Sequence, residues 1–362
     1  MRLSRYVNDP QVMGMVTDNL SKMRIPVFTA DCWRSFIIIV IGTLLLLLYK
    51  AKKLKALPTI GLIAALCLVD MWLVKKRYLN DSMFVDKSIR QTSHAIKPVN
   101  QLILQDDDLD YRVLNFTSDT FNENETSFYH KSVGGYHAAK LGRYNDLISA
   151  YISPEMQRAV QAINESAGNI DLVPGDSLWP VINMLNTRYF IVSDQAALTN
   201  PYAMGNAWLV DRVSYVSNAN EELRALGSID LRREAVADQQ FIEVLGAQTV
   251  QASADSTASV QLTNYEPNEL KYSIDSRTGG VLVFSEIYYP GWTATVDGQS
   301  VELGRVDYVL RALRIEGGHH EVVLSFFPTS VTTTETIAFI ALGLLAVAII
   351  ALLVFSLLRR KK

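Results

Sequence analysis

The chain has 362 residues, of which 49% are hydrophobic and 20% charged, with a formal net charge of −3. That balance leaves no basic domain for nucleic acid, and two cysteines, Cys32 and Cys67, are too few for a disulfide framework. The length leaves room for two or three domains, whose folding must rest on packed cores.

In chain order, residues 1–31 are mixed polar and lack the charged start and apolar run of a signal peptide. Phe36 to Tyr49 carries no charge, Leu57 to Val74 carries one, and Ile337 to Leu358 carries none. Spanning a hydrocarbon core takes about 20 apolar residues, with a range of roughly 17–25. The last segment meets this directly, the second reaches it, and the first does so once Cys32 to Ser35 or the following turn adds length. A buried helical hairpin in a soluble core is the competing reading of the first two segments. Lys50, Lys52, Lys53 and Lys55 argue against it, because lysines crowded into a short hairpin mark a cytoplasmic loop, as Arg359 to Lys362 mark a cytoplasmic tail. The expected organisation is therefore an extracytoplasmic segment at 1–31, transmembrane helices at 32–50, 57–75 and 333–358, a cytoplasmic hairpin at 51–56 and a tail at 359–362. Residues 76–332 then lie outside a bacterial inner (cytoplasmic) membrane crossed several times.

Two patterns follow in the outer part. Across 76–238 the reading is α/β. DYRVLNF (Asp110 to Phe116) and TRYFIVS (Thr187 to Ser193) read as strands, Tyr136 to Ile152 and Met156 to Ser166 as helices, Ala207 to Val216 as a strand and Asn218 to Leu226 as a charged helix. After Gln239, seven short alternating segments follow: Phe241 to Val244, Ser259 to Asn264, Glu269 to Asp275, Gly280 to Glu286, Trp292 to Val296, Tyr308 to Ile315 and Glu321 to Phe327. They are separated by Gly279-Gly280, Asp297-Gly298 and Gly317-Gly318, so 239–330 is expected to be an antiparallel β-sandwich. The fold class is a membrane protein of α+β type, with three transmembrane helices, an extracytoplasmic α/β region and this sandwich.

Chemistry-bearing residues concentrate in SFYHKSVGGYHAAKLGRYND (Ser127 to Asp146), where three tyrosines, two histidines and three basic side chains flank Gly134-Gly135. Tyr129, His130, Lys131, Tyr136, His137, Lys140 and Tyr144 are candidates for binding a sugar or a polyprenyl phosphate. On the expected helix Tyr136, Lys140 and Tyr144 share one face, which either contacts substrate or docks onto another part of the protein. Asp70 sits about 6 Å from the outer end of its span at 1.5 Å per residue, where it either faces a lipid-linked substrate or anchors at the interface and pairs with Arg77. Glu286, Tyr288, Tyr289, Trp292 and Arg311 have the composition of a glycan platform, against the alternative that Trp292 plugs the sandwich. Asp106, Asp107, Asp108 and Asp110 lack the glycine and terminal glutamate of a calcium loop and read as a solvated turn. His319-His320 reads as a turn feature, and three N-x-S/T matches read as chance. No metal, cofactor or catalytic residue is assigned, since there is no phosphate loop, zinc-type cysteine pair or nucleophile elbow.

The same block, taken in order with PVINMLNTRYFIVS (Pro180 to Ser193), NPYAMGNAWLVDRVSYV (Asn200 to Val216) and YYPGWTATVDG (Tyr288 to Gly298), resembles the C-terminal part of bacterial YfhO-family membrane proteins in their Bacteroidetes form. The resemblance covers most of residues 80–328. It implies a glycosyltransferase-like protein of cell-envelope glycosylation, in which a multi-helix membrane core uses a polyprenyl-phosphate sugar and decorates an envelope glycan acceptor. Family members carry many membrane helices and an acidic early outer loop before this region. Here Met1 stands in what resembles the last outer loop of that core, and Asp9, Asp18 and Asp31 lie in the wrong part of the architecture to replace it. The expectation is a fragment, inactive alone, partnered by membrane lipid and a separately encoded membrane core. The alternative is a membrane-anchored glycan-binding or scaffold module without catalysis. A solute-transporter subunit gains little support, because the membrane segments offer one charge and no broken-helix pair.

Overall fold

A computed structural model describes residues 10–88, 95–247, 252 and 255–360. Residues 1–9 of the expected outer segment and 361–362 of the expected tail lie outside the described residues. Contacts divide the chain into two units, residues 1–94 and 95–362.

The first unit is a helical hairpin. One helix runs without interruption over Pro10–Lys50, a second over Ala56–Tyr78, and the lysine-rich turn joins them. The polar residues expected to precede the first span therefore continue its helix outward, with Pro26 inside it. Both helices qualify by length and composition to cross a membrane, and so does Thr329–Arg360 at the end of the second unit. The chain is accordingly a multi-pass membrane protein. Polar groups in the first unit pair with one another: Arg34 lies 2.9 Å from Asp31 and 3.1 Å from Asp70, and Arg77 lies 2.6 Å from Asp31. Asp70 thus takes Arg34, rather than Arg77, as its partner, and two cations balance two carboxylates where isolated charges would be costly.

The second unit holds four sheets. β1 (Arg112–Asn115) pairs in parallel with β2 (Thr187–Ile191), which pairs antiparallel with β3 (Ala197–Thr199). The remaining strands are β4 (Ala207–Val210), β5 (Arg212–Val216), β6 (Glu234–Asp238), β7 (Ser259–Glu266), β8 (Glu269–Ser276), β9 (Gly280–Ile287), β10 (Trp292–Val296), β11 (Gln299–Val301), β12 (Gly304–Val306), β13 (Leu310–Ile315) and β14 (Gly318–Phe326). β5 and β6 form a parallel pair; β11-β10-β14-β8-β7 and β12-β13-β9-β4 are antiparallel sheets of five and four strands. A strand from before Gln239, β4, thereby completes the sheet formed after it. The β10–β11 hairpin turns on Asp297-Gly298, whose φ values of 51° and 78° are the paired positive angles that suit a two-residue hairpin.

β9 is buried along almost its whole length. Val281 and Val283 join the large core shared with β1, β2 and the helices of the α/β region, while Leu282 and Phe284 join a second core shared with β8, β10 and β14. The four-stranded sheet is therefore the middle layer of three, which is why β9 reads as a continuous apolar run from Val281 to Phe284.

Three elements differ from expectation. The single strand expected over Ala207 to Val216 is two, β4 and β5, which belong to different sheets. Phe241 to Val244 is not a strand but a 3-10 turn leading into a short helix, Ile242–Leu245; a four-residue apolar run does not distinguish the two. The helix expected from Tyr136 begins at Gly142, runs to Leu147, passes through a π turn at Ile148–Ile152 and continues as Ser153–Glu165. Residues 131–133 instead lie along β1, with Val113 N–H donating to Lys131 O at 2.9 Å and Val133 N–H to Val113 O at 3.1 Å. Gly134 then passes so close to Thr120 that a Cβ there would sit 2.0 Å from its carbonyl oxygen, and Gly135 takes φ +96°. Gly134→Ala is expected to cost about 1–3 kcal/mol by overpacking and to lower the melting temperature of the detergent-solubilised protein. Gly142→Ala, whose Cβ would meet nothing within 4 Å, should leave it unchanged.

Candidate functional site

β1 delivers Arg112 into the seam between the α/β region and the four-stranded sheet. Its guanidinium donates to Leu185 O at 2.7 Å and Ser285 O at 2.6 Å. The ribbon beside β1 delivers Lys131, whose ammonium donates to both Asp110 oxygens at 2.8 and 3.0 Å and to Glu286 Oε1, and sits 5.0 Å from the Tyr265 ring. Glu286 at the end of β9 is 9% exposed, and Arg112 and Arg311 approach it at 3.8 and 4.0 Å. Arg311 on β13 is 4% exposed, donates to Ile287 O at 3.0 Å and stacks on Trp292 at 3.8 Å. Burial acts to raise the Glu286 carboxyl, but Arg112, Lys131 and Arg311 outweigh it and hold it down at about 2. Burial pulls Arg311 down to about 10 despite Glu286.

Above this buried network opens a cleft of about 750 Å³. Its walls include Arg112, Lys131, Tyr136, His137, Lys140, Leu141, Tyr144, Ile287 and Tyr289. Gly134 and Gly135 form its turn, and Tyr144, whose hydroxyl donates to Val133 O at 2.7 Å, ties the helix start to the ribbon. Burial pushes the Tyr144 phenol up to about 12, so it acts as a neutral donor. Tyr136 and His137 are exposed at the mouth, with the His137 ring accepting from Ala139 N–H at 3.1 Å. Lys140 is half-buried, 5.4 Å from the Phe121 ring.

The opposite wall adjoins the membrane helix of the same unit. Tyr289 is 6.1 Å from Phe326 ring to ring, and Gly291 packs against Phe326 and Pro328, immediately before the helix that starts at Thr329. Phe327 at this junction is 69% exposed, in keeping with an interfacial aromatic.

Of the residues singled out from sequence, Lys131, Tyr136, His137, Lys140, Tyr144 and Tyr289 come together around the cleft, through an irregular ribbon rather than a helix face. Tyr288 faces an adjoining cleft. Glu286, Arg311 and Trp292 do not form an open platform: Glu286 and Arg311 are buried, and Trp292 lies between Arg311 and Phe326. His130 is buried against Asn100 Oδ1 at 3.0 Å, and burial lowers it to about 4, so it stays neutral. Tyr129 ends the short helix Glu125–Tyr129 and packs against Phe128. Asp70 belongs to the first unit and pairs with Arg34. The acidic turn is engaged locally, with Asp106 2.9 Å from Arg188, Asp108 paired to the same guanidinium, and Asp110 paired to Lys131. Among the described residues no group of His, Cys, Asp and Glu is arranged to hold a metal ion. Arg112 was not singled out, although an arginine inside an apolar strand is the one local signal of a buried counter-charge.

Residues 236–338 match the model of the bacterial membrane protein YfhO family. The matched stretch runs from β6 through every strand of the two antiparallel sheets except β4, and through the Tyr289 turn into the last membrane helix. Comparison with curated proteins and with solved structures found no match.

Replacing Glu286 leaves three cations without their shared carboxylate. Glu286→Gln is expected to cost about 3–5 kcal/mol at neutral pH, as when one partner of a buried pair is removed. Because the folded carboxyl titrates near 2, below its ordinary value of 4.5, its contribution is present above about pH 4.5 and lost as the pH falls toward 2. Denaturation curves of the two proteins should therefore converge between pH 5 and pH 2; a constant gap would show that Glu286 is not the titrating group.

Proposed function

We propose that this chain is a component of cell-envelope glycosylation whose extracytoplasmic region, an α/β layer on an antiparallel β-sandwich, holds a polyprenyl-phosphate-linked sugar at the membrane surface. In this reading it acts with a glycosyltransferase-type membrane core of the YfhO kind and presents the sugar to an envelope glycan acceptor. The observation that carries the proposal is the cleft itself, which combines cationic, phenolic and apolar walls beside the base of a membrane helix. Each wall has a physical counterpart in such a ligand. Lys140 attracts phosphate, Tyr136 and Tyr289 offer faces and hydroxyls to a pyranose, and Leu141 and Ile287 suit the first isoprene units. Phosphate of a membrane lipid lies at headgroup level, and the closeness of the Tyr289 wall to the Phe326–Thr329 junction supports a cleft at that depth.

Lys140 is the residue to test, because it lines the cleft without entering the Glu286 network. Lys140→Ala should weaken binding of undecaprenyl phosphate about 5–10-fold, the range of a partly exposed charged hydrogen bond, with an unchanged melting temperature. Equal affinity, or a destabilised protein, would reject a ligand-contacting role. The orientation follows from the Lys50 to Lys55 turn lying inside. In a background carrying Cys32→Ser and Cys67→Ala, a cysteine replacing the exposed Ser256 should react with an impermeant maleimide in intact spheroplasts. Reaction confined to lysed cells would reverse the topology.

A further inference from the structure

Next to the main cleft lies a second one of about 250 Å³, which shares Leu141, Tyr144, Ile287 and Tyr289 with it. Its own walls are Arg143, Arg305, Tyr288, Tyr308 and Pro290. This combination differs from that of the main cleft in having two guanidiniums and four phenol rings, counting the shared Tyr144 and Tyr289, in a third of the space. The arginines are held in place by stacking: Arg143 lies 4.5 Å from the Tyr308 ring, and Arg305 lies 5.2 Å from Phe241 and 5.9 Å from Tyr288.

The lining of this cleft is cationic, with Arg143 and Arg305 on its walls and no carboxylate among them. Both arginines turn to one carboxylate, the fully buried Glu222, at 2.9 Å from Arg143 and 3.5 Å from Arg305. Glu222 also accepts from Tyr308 N–H at 3.2 Å, so its oxygens are already shared among three donors. Arg305 Nε is buried and has no hydrogen-bond partner. Nearby Asp307 adds little negative charge, since burial pushes it up to about 8 and it is mostly protonated at neutral pH. Asp146 accepts from the Tyr308 hydroxyl at 2.9 Å and is not among the lining residues. Two guanidiniums thus line the cleft and no carboxylate does, beside an orphaned donor and flat aromatic faces.

The geometry points to a second binding site for an anionic saccharide: its carboxylate or phosphate takes the guanidiniums on the walls, and its ring stacks on Tyr288 and Tyr289. Arginine suits this role because its planar fork matches a carboxylate or phosphate in two hydrogen bonds. Stacked on an aromatic ring, it is already held in one orientation. The site stands independently of the lipid-phosphate reading of the main cleft. If that reading also holds, the shared Tyr144–Tyr289 wall puts the acidic saccharide beside the lipid-linked sugar, where an acceptor would have to lie.

Gly142 supplies a clean test. It lines the second cleft but not the first, and a Cβ there would meet nothing within 4 Å, so Gly142→Trp should fill the site without disturbing the fold. Binding of trigalacturonate, its fully methyl-esterified form, galactose 6-phosphate and galactose would be measured by calorimetry on the detergent-solubilised full chain. At least one acidic probe is expected to bind at least 10-fold more tightly than its uncharged counterpart, which also tells carboxylate from phosphate as the preferred anion. Gly142→Trp should abolish that binding, Arg305→Gln should weaken it at least 5-fold, and Lys140→Ala should leave it unchanged. No preference for the acidic probes, or acid binding that survives Gly142→Trp, would overturn the site. Undecaprenyl phosphate binding should persist in Gly142→Trp, so failure of this inference and failure of the lipid-phosphate reading give different results.

Discussion

The second unit depends on how Glu286 is neutralised. A carboxylate that is 9% exposed at the end of a central strand would be prohibitive alone, and it is tolerated because three cations from three elements converge on it: Arg112 from β1, Lys131 from the ribbon and Arg311 from β13. The convergence is also an assembly constraint. β1 and the ribbon can satisfy their cations only if the α/β layer seats on the four-stranded sheet in one register, because a shift of one residue would move Glu286 to the other face of β9. Specificity of docking, more than net stability, is what such a network contributes.

That constraint shapes the cleft above it. With Lys131 and Arg112 committed to Glu286 and Asp110, their positive charge is largely spent, and the freer basic group on the walls is Lys140. The cleft is therefore moderately rather than strongly cationic, with tyrosines and aliphatic side chains making up much of the surface. A moderately charged, aromatic and apolar concavity favours an amphiphile over a free polyanion. The neighbouring pocket has the opposite balance, with two arginines and no carboxylate on the walls of a smaller volume.

Much of this architecture was legible in the sequence, and what was not follows a physical pattern. The three long apolar segments, β1, β2, β7 to β10, β13 and β14 were readable because each carries its own periodicity and punctuation. β3, β11 and β12, three residues each, are too short to show a period. The false helix at Tyr136 arose from HAAKLGRYND, which scores as helical locally, while the actual path is fixed by a non-local contact, Gly134 against Thr120, that no local pattern reveals. The cleft-lining residues were recognisable by type, since tyrosines, histidines and lysines rarely crowd together in a plain core. The burial of Glu286 and Arg311 was not, because ion pairing between distant strands leaves no trace in either strand's alternation. For the same reason Arg112 passed unnoticed and Trp292 read equally well as platform or plug.

The junction between β14 and the last membrane helix has a further consequence. Only Phe327 and Pro328 separate Phe326 from Thr329, and two residues extend the chain by about 7 Å at most. The proline further restricts the bend. A folded region held on so short and stiff a tether cannot sample the volume of the compartment. Its Tyr289 side stays within a narrow slab next to the bilayer, so encounter with a lipid headgroup becomes a search in two dimensions. In that slab even a weak intrinsic affinity gives high occupancy, because the local ligand concentration is set by the membrane rather than by bulk solution. Under the proposed lipid-linked reading a moderately charged cleft is then an advantage, since it would release such a ligand as readily as it finds it.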